Sequence, residues 1–324
     1  MRIAVLDDYQ DQVRHLACFS LLHDMDVTVF NHTVTDIEKL ADMLQSFDVL
    51  VLIRERTLIN DALLSRLPNL KLISQTGKIS NHLDLDACNR YRVAVAEGVG
   101  SPVAPSELCW ALIMAAMRHI PSYINRLQNG HWQQSGQPFL GRTLEGKRLG
   151  IWGFGKIGQR VAGYATAFGM EVMIWGSEAS REKAQVMGYQ AATNRDQFFT
   201  HCDIVSLHLR LNDATRHIVT RDDLEQMKPD ALLVNISRAE LIEPQALYDT
   251  LSAHPGKMAA IDVFEQEPAY ATNQWLLTLP NVVATPHIGY VEQGSYELYF
   301  RYAFDNVRAY AEQRPHNIAN PEVL

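Results

Sequence analysis

The chain has 324 residues, of which 47% are hydrophobic and 20% are charged, with 18 glycines and 13 prolines. This is the composition of a folded globular protein, which excludes disordered, collagen-like and disulfide-stapled chains, and the length predicts about two domains. The 29 Lys and Arg residues against 37 Asp and Glu give a net charge of −8, which excludes the general basic field that holds nucleic acid.

Short aliphatic runs alternate with helical stretches through the first hundred residues. The predicted strands are Ile3–Leu6, Val27–Phe30, Val49–Ile53, Leu70–Ser74 and Val93–Ala96. Strands that alternate with helices are typical of a parallel α/β sheet. Residues 1–100 are therefore predicted to belong to the first domain.

A segment rich in Gly and Pro, residues 98–105, predicts a domain boundary. The next predicted element is a helix from Ser106 to about Ile120, with Ser101 or Ser106 as its cap and Pro121 as its end. Its apolar run, Leu108–Met117, has ten residues. Because a bilayer span needs about 20 apolar residues, this run predicts a buried helix and no membrane segment.

Four cysteines lie far apart without paired spacing, which argues against a zinc site and against a disulfide framework. They are Cys18, Cys88, Cys109 and Cys202. The first residues also lack the apolar stretch of a signal peptide. We therefore expect free thiols, no metal site and a cytoplasmic location.

A second series of strands follows a predicted polar loop over Asn125–Leu144. Its strands are Arg148–Gly153, Glu171–Gly176, Asp203–His208, Ala231–Ile236, Met258–Asp262 and Asn281–Thr285. Six such strands with helices between them predict a doubly wound parallel sheet. The chain then forms a predicted helix from Tyr290 to about Glu312, and the tail Asn317–Leu324 is predicted to be a surface coil.

One glycine-rich motif lies between the strand Arg148–Gly153 and a predicted helix over Gln159–Phe168. It consists of Gly153, Phe154, Gly155, Lys156, Ile157 and Gly158. In this context the glycines allow a tight turn and close approach of a pyrophosphate, and the helix N-terminus supplies amide donors. The motif predicts a dinucleotide site.

The end of the next strand bears on the choice between NAD and NADP. Gly176 stands where an NAD site places an acidic residue, and Ser177, Ser180 and Arg181 offer donors for a 2′-phosphate. The acidic side chain of Glu178 favours NAD instead. The sequence thus favours NADP over NAD and leaves NAD open.

Ligands of open α/β sheets bind beyond the carboxyl ends of the strands, where this chain places its reactive side chains. Arg238 is suited to a substrate carboxylate, His287 to proton transfer, and Glu267 to holding that histidine protonated. An arginine, a carboxylate and a histidine beside a nicotinamide suggest hydride transfer between a hydroxy acid and a keto acid. The strand-end residues His208 and Ile236 are expected in the cofactor site.

Four ordered segments carry a resemblance to a known family. They are Leu149–Gly158, Met227–Arg238, Asp262–Pro268 and Pro280–Gly289. The chain resembles the D-isomer-specific 2-hydroxyacid dehydrogenases, the family of phosphoglycerate dehydrogenase and glyoxylate/hydroxypyruvate reductase. The resemblance implies that Arg238, Glu267 and His287 are catalytic and that Asp262 contacts the nicotinamide amide.

The resemblance also implies two Rossmann-like or flavodoxin-like parallel-sheet domains with an active-site cleft between them. Residues 1–100 with 290–324 would form a discontinuous substrate domain, and residues 101–289 would bind NAD(P). A homodimer, with the Asn125–Leu144 segment at its interface, and a small 2-keto or 2-hydroxy acid as substrate are further implications. The same fold occurs in nucleotide-sensing transcriptional corepressors, which are the alternative function.

Substrate contacts are implied for Arg54 and for a loop that contributes backbone amides. The loop residues are Gly77, Lys78, Ile79 and Ser80. This loop has fewer glycines than is common in the family, which predicts a narrower carboxylate pocket with Lys78 as an extra cation. The cations Arg54, Arg56 and Lys78 fit a phosphorylated acid, whereas Ile79 fits a larger apolar one, so the substrate stays open.

Overall fold

The computed structural model describes residues 1–324 and divides the chain into two units. The first unit comprises Met1–Ser101 and Val291–Leu324, and the second comprises Pro102–Tyr290. Each unit is built around its own parallel sheet. No helix is long and apolar enough to cross a membrane.

The first unit contains a five-stranded sheet in the order β2-β1-β3-β4-β5. Its strands are β1 (Arg2–Val5), β2 (Asp26–Val29), β3 (Val49–Leu52), β4 (Leu72–Gln75) and β5 (Ala94–Ala96). Its helices are α1 (Ile37–Leu44), α2 (Asp61–Leu64), α3 (Leu85–Arg90) and a C-terminal helix, Gln293–Ala311. All strand pairs are parallel, and the five predicted strands are confirmed with ends shifted by one or two residues.

Local sequence explains where the helices of the first unit begin. Asp36, Asn60 and Asp84 accept hydrogen bonds from backbone amides in the first turns of α1, α2 and α3, as N-cap side chains do. One core cluster lies beneath these helices, with β3 fully buried along its length.

The tail is not the surface coil that the sequence predicts. Ile318 forms an antiparallel bridge with Ala96, and the Ala319 amide donates to the Val95 carbonyl (2.8 Å). Asn320 is fully buried, and its side chain bonds the backbone of Val93 and Val95. The tail therefore pairs with the edge of β5, and its asparagines satisfy backbone groups that the edge strand leaves open.

The second unit contains a seven-stranded parallel sheet in the order β12-β11-β10-β9-β6-β7-β8. Its strands are β6 (Arg148–Trp152), β7 (Glu171–Trp175), β8 (Gln190–Ala191), β9 (Ile204–Leu207), β10 (Leu232–Asn235), β11 (Met258–Ile261) and β12 (Val282–Ala284). The prediction of six strands missed β8, because two residues give no apolar run. The strand order reverses between β6 and β9, where doubly wound folds bind nucleotides.

The helices of the second unit cover both faces of this sheet. They are α4 (Val103–Met117), α5 (Ile120–Gln128), α6 (Lys156–Ala167), α7 (Glu178–Val186), α8 (Arg195–His201), α9 (Arg221–Gln226) and α10 (Ala246–Ala253). The two resulting cores contain opposite faces of the strands. In β6, for example, Leu149 and Ile151 belong to one core and Trp152 to the other.

Three predictions around α4 and α5 are wrong. Pro121 does not end the helix but lies in the first turn of α5, where a missing amide hydrogen costs nothing. The chain turns instead at His119, whose φ is +52°. Ser106 does not cap α4 but lies buried within it, and its hydroxyl donates to the Pro102 carbonyl (2.5 Å). Because α5 reaches Gln128, the predicted polar loop begins later than Asn125.

All four cysteines are buried free thiols. Burial raises the pKa of each to about 12. They are distributed two to a unit, Cys18 and Cys88 in the first and Cys109 and Cys202 in the second.

Candidate active site

The glycine-rich turn joins β6 to α6, and its three glycines meet three different demands. Gly153 has a φ of +98°, and a Cβ there would lie 2.5 Å from the His208 carbonyl oxygen. At Gly158 a Cβ would collide with the Gly153 carbonyl. At Gly155 a Cβ would meet nothing within 4 Å, so the first and third glycines close the turn while the second leaves space beside the backbone. That open space fits a pyrophosphate at the N-terminus of α6.

The side chains within this turn divide between the core and the surface. Phe154 is buried and its ring packs edge-on against Tyr189, with centroids 5.7 Å apart. Ile157 is partly buried against the same core, and Lys156 is exposed. Phe154 and Ile157 thus anchor the turn, so it is the backbone that remains for phosphate binding.

The residues at the end of β7 form the second part of the predicted dinucleotide site. Ser177 caps α7, where its hydroxyl accepts from the Ser180 amide (3.3 Å). The Arg181 guanidinium lies over the Trp175 ring, 5.1 Å from its centroid, and its buried Nε has no hydrogen-bond partner in the chain. Gly176, with a φ of +148°, carries no acidic group here.

His208 follows β9 and lies directly beside the glycine-rich turn. Its amide donates to the Trp152 carbonyl (2.8 Å), and its Nε2 lies 2.9 Å from the hydroxyl of Ser206. Burial lowers the pKa of His208 to about 4, so the imidazole is neutral at pH 7. The other nitrogen, Nδ1, is buried without a partner. An unpaired polar atom at this position, together with the open space at Gly155, fits a bound dinucleotide.

The cofactor contact expected at Ile236 stays a prediction. This side chain is 9% exposed and belongs to the core of the second unit. The residue directly follows β10, and its side chain packs in the core.

Arg238 lies three residues beyond the end of β10, in a turn held by a buried asparagine. The Asn235 side chain accepts from the Ser237 amide (3.0 Å) and donates to the Arg238 carbonyl (2.8 Å). The Ser237 hydroxyl donates to the Leu207 carbonyl (2.8 Å), which ties the turn to β9. The Arg238 backbone is therefore fixed from two strands, while its guanidinium is half-buried.

His287 follows β12 and forms the central pair of the site with Glu267. The ring Nδ1 donates to Glu267 Oε2 (2.7 Å), and Glu267 Oε1 accepts from the Phe264 amide (3.1 Å). Both side chains are about one-third exposed, 27% for His287 and 33% for Glu267. The carboxylate fixes the ring through Nδ1, which leaves Nε2 as the nitrogen available to exchange a proton.

Asp262, for which the resemblance implies a contact with the nicotinamide amide, holds the segment after β12 in place. Its side chain is fully buried, and its oxygens accept from the Thr285 hydroxyl (2.6 Å) and from the amides of Ile288 (2.8 Å) and Gly289 (2.9 Å). Burial raises the pKa of Asp262, and these hydrogen bonds oppose the rise. Because His287 has a φ of +52°, two amides captured directly after it stabilise its left-handed conformation. Asp262 thus positions the histidine segment.

In the first unit, Arg54 lies just beyond β3 with a φ of +54°. Its amide donates to the Thr76 hydroxyl (3.0 Å), and its carbonyl accepts from the Gln75 side chain (2.6 Å). Its guanidinium lies 5.9 Å from the Tyr299 ring centroid and against Gly77, where any Cβ would collide with it. Gly77 therefore makes the space that this arginine occupies.

The rest of the predicted substrate loop differs from expectation. Lys78 is not an unpaired extra cation, because its Nζ forms an ion pair with Glu97 (2.6 Å). The Ile79 amide donates to the other oxygen of Glu97 (3.0 Å), so it is not open to a substrate carboxylate. Ser80 is exposed at the end of the loop.

Sequence reasoning missed three residues that hold these groups in place: Asn235, Thr285 and Glu97. For Asn235 a signal existed, because an amide at the end of an otherwise apolar strand is a polar group that needs partners. Glu97 gave no such signal. It lies 19 residues from Lys78, and only the folded chain brings the two together.

The strand order and the glycine-rich turn define a dinucleotide-binding protein of the doubly wound class. Residues 110–289, more than half of the chain, match the family described as D-isomer specific 2-hydroxyacid dehydrogenase, NAD binding domain. The chain belongs to the D-isomer-specific 2-hydroxyacid dehydrogenase family.

Individual relatives agree with this membership. A D-3-phosphoglycerate dehydrogenase of Methanocaldococcus jannaschii is 35% identical over 78% of this chain, and the match spans about half (47%) of that protein. A glyoxylate reductase of Thermococcus litoralis is 32% identical, with 88% of this chain and 87% of that protein covered. The crystal structure of a phosphoglycerate oxidoreductase from Vibrio cholerae o395 is 60% identical, with a TM-score of 0.96 and coverage of 97% of this chain and 99% of that one.

These findings confirm the predicted family and the two-sheet α/β fold. The relatives are named dehydrogenases, reductases and oxidoreductases, which supports the interpretation as an NAD(P)-dependent oxidoreductase over the corepressor alternative. They also support a nicotinamide dinucleotide as the cofactor.

Proposed function

We propose that the protein interconverts a small 2-keto acid and the corresponding D-2-hydroxy acid. The observation that carries this proposal is the His287–Glu267 pair, a proton-exchanging imidazole fixed by a carboxylate at the same sheet edge as the glycine-rich turn. The bound nicotinamide supplies or accepts the hydride at C2 of the substrate. The side chains of the protein then transfer one proton and bind the substrate carboxylate.

His287 gives the proton from Nε2 to the carbonyl oxygen of the keto acid and takes it back in the reverse direction. Glu267 stabilises the protonated imidazole through its bond to Nδ1 (2.7 Å). Arg238 binds the substrate carboxylate and polarises the carbonyl with its paired donors. In the first unit, Arg54 is the proposed second substrate-binding arginine, with Gly77 as the residue that accommodates it.

The experiment is a panel of 2-keto acids, followed by the absorbance of NADH or NADPH. Glyoxylate, hydroxypyruvate, pyruvate and phosphohydroxypyruvate cover small, polar and phosphorylated acids. Turnover of at least one of them that is lost in His287→Ala is the expected result. Tight cofactor binding without turnover of any acid would contradict the proposal and favour the corepressor function.

For the cofactor we propose a preference for NADP over NAD. Gly176 removes the carboxylate that would repel a 2′-phosphate, and the buried Nε of Arg181 lacks a partner in the chain. The hydroxyls of Ser177 and Ser180, 3.1 Å apart, lie on the same turn. His208 is proposed to bond the cofactor through Nδ1, alongside the backbone of the glycine-rich turn.

Comparison of kcat/KM for NADPH and NADH tests this preference. Arg181→Ala should lower the NADPH-to-NADH ratio by about tenfold, since it removes one charged contact to the phosphate. Lys183→Ala, on the same helix, is the matched control and should leave the ratio unchanged. A wild-type preference for NADH of a hundredfold would refute the assignment.

We further propose a cytoplasmic homodimer. Its four free cysteines suit a reducing compartment. The segment from α5 to the following loop exposes several large apolar side chains, as expected of an interface. They are Ile120, Ile124, Leu127, Trp132 and Leu140. Light scattering should give twice the chain mass, and Leu127→Asp should shift it toward the monomer; a wild-type monomer would refute the dimer.

A further inference from the structure

The Glu97 carboxylate, which lies just beyond β5, bonds two groups of the loop after β4, the loop for which the resemblance implies substrate contacts. Glu97 accepts from the Ile79 amide through Oε1 (3.0 Å) and pairs with Lys78 through Oε2 (2.6 Å). Its side chain is 21% exposed, whereas that of Lys78 is 70% exposed. The carboxylate is thus the more buried member of the pair, and the lysine is the exposed one.

Several contacts fix the backbone of Glu97 in turn. Its amide donates to the Asn317 carbonyl (2.9 Å), and its carbonyl accepts from the Asn306 side chain (3.1 Å). The next residue, Gly98, donates to the Gly77 carbonyl (2.8 Å). Residues from the tail and the C-terminal helix therefore hold Glu97 against the loop, and this carboxylate cannot leave without disturbing the paired edge.

The basic side chain of Arg56, which follows β3, is also engaged within the chain. Arg56 donates from Nη1 to the Asp7 carbonyl (2.5 Å), and its guanidinium lies over the Tyr9 ring, 4.5 Å from the centroid. Of the three cations that a phosphorylated acid would use in this unit, Arg56 and Lys78 are thus bound by other groups. Arg54 is the cation that lies against Gly77 at the start of the loop.

We infer that Glu97 determines the charge of the substrate: it neutralises Lys78, occupies the Ile79 amide, and selects 2-keto acids with one negative charge over phosphorylated or dicarboxylic ones. A second anionic group at this loop meets a fixed carboxylate instead of a lysine and an open amide. This inference rests on the proposed function, since it specifies the substrate class of the same site. Glu97 acts on the substrate through the loop and is a specificity-determining positioning residue.

The test compares kcat/KM for phosphohydroxypyruvate with that for glyoxylate, in the wild type and in Glu97→Gln. The substitution removes the charge, and its amide oxygen can still accept from Ile79. We expect the phosphohydroxypyruvate-to-glyoxylate ratio to rise about three- to tenfold, through KM more than kcat, because one repulsive charge is lost at a partly solvated site. The gain should shrink at high salt, as a charge effect does and a purely structural one does not.

Two further variants separate charge from structure. Adding Lys78→Met to Glu97→Gln should return the ratio to the wild-type value or below, because the released cation is then absent. Asp61→Asn removes another exposed ion pair of the same unit, with Arg90, and should leave the ratio unchanged. A ratio that stays constant or falls in Glu97→Gln overturns the inference.

A binding measurement makes the result independent of turnover. Isothermal titration calorimetry with phosphoglycolate and glycolate should show the same relative gain for the phosphorylated anion in Glu97→Gln. If the wild type turns over no keto acid while this shift is observed, the proposed reaction fails and the charge selection stands. If turnover is normal and neither ratio changes, the reaction stands and the charge selection fails.

Discussion

The carboxyl edges of the two sheets treat their charged side chains in different ways. At the edge of the seven-stranded sheet, Asp262 and Glu267 fix His287 through Nδ1 and the following amides, which leaves Nε2 for chemistry. At the edge of the five-stranded sheet, Glu97 pairs with Lys78 and occupies the Ile79 amide. A carboxylate thus orients a histidine in one unit and pairs with a lysine in the other, so under the two proposals the same residue type serves catalysis and substrate selection.

We therefore expect substitutions in the second unit to lower the rate of the reaction. His287→Ala should lower kcat about 10²- to 10⁴-fold, the usual contribution of a positioned acid or base. The KM for the cofactor should change little, because no contact of the glycine-rich turn involves this ring. Steady-state kinetics with His254→Ala, an exposed histidine of the same unit, as the control would test it. A variant with unaltered kcat would remove His287 from the proton-transfer role.

A smaller loss is expected at Arg238. Arg238→Lys keeps the positive charge but loses the paired donors, and kcat/KM for the keto acid should fall about 10²-fold, within the range for loss of an oxyanion donor. The measurement is the same assay, with the exposed Arg216→Lys as the matched control. Wild-type kcat/KM in Arg238→Lys would show that the fork is not used.

In the first unit we expect a substitution at the paired edge of β5 to lower the stability of the fold. Asn320→Ala removes the side chain that satisfies the Val95 amide and the Val93 carbonyl. Two buried backbone groups without partners should lower the free energy of unfolding by about 2 to 3 kcal/mol. Urea denaturation should show this, with Asn31→Ala, an exposed asparagine of the same unit, close to wild type. Equal stability of the two variants would mean that the tail does not contribute to the paired edge.

The smallest effect is a pH dependence from His208. Its pKa is about 4 in the folded protein and about 6.5 in the unfolded chain. Between these values the unfolded chain takes up the proton first, so stability falls as the pH is lowered. Linkage predicts a loss of about 2 kcal/mol from pH 7.5 to pH 5 through this residue. His208→Gln should show a correspondingly smaller loss in urea denaturation at the two pH values, and identical losses would refute the assignment.

Sequence predicts best what depends on local pattern. Short-range signals predict the glycine-rich turn, the strand ends that carry Arg238 and His287, and eleven of the twelve strands. The failures come from long-range contacts. The tail looks like coil because its polar residues are satisfied by β5, more than 220 positions away in the chain.

The same cause explains the errors within the site. The sequence shows the charges of Lys78 and Asp262 but not the groups that bond them. Glu97 and the amides of Ile288 and Gly289 are brought to them only by folding. Pro121 is a different case, because proline both ends helices and begins them, and the left-handed His119 before it decides which.

The four buried thiols give the two units a means of reporting their own opening. An alkylating reagent attacks the thiolate, and a thiol with a pKa of about 12 inside the core reacts only when the surrounding structure opens. Because each unit contains two of them, mass spectrometry of slowly labelled peptides would measure the opening rates of both units in one sample. The wild-type chain is already equipped for this measurement without any added probe.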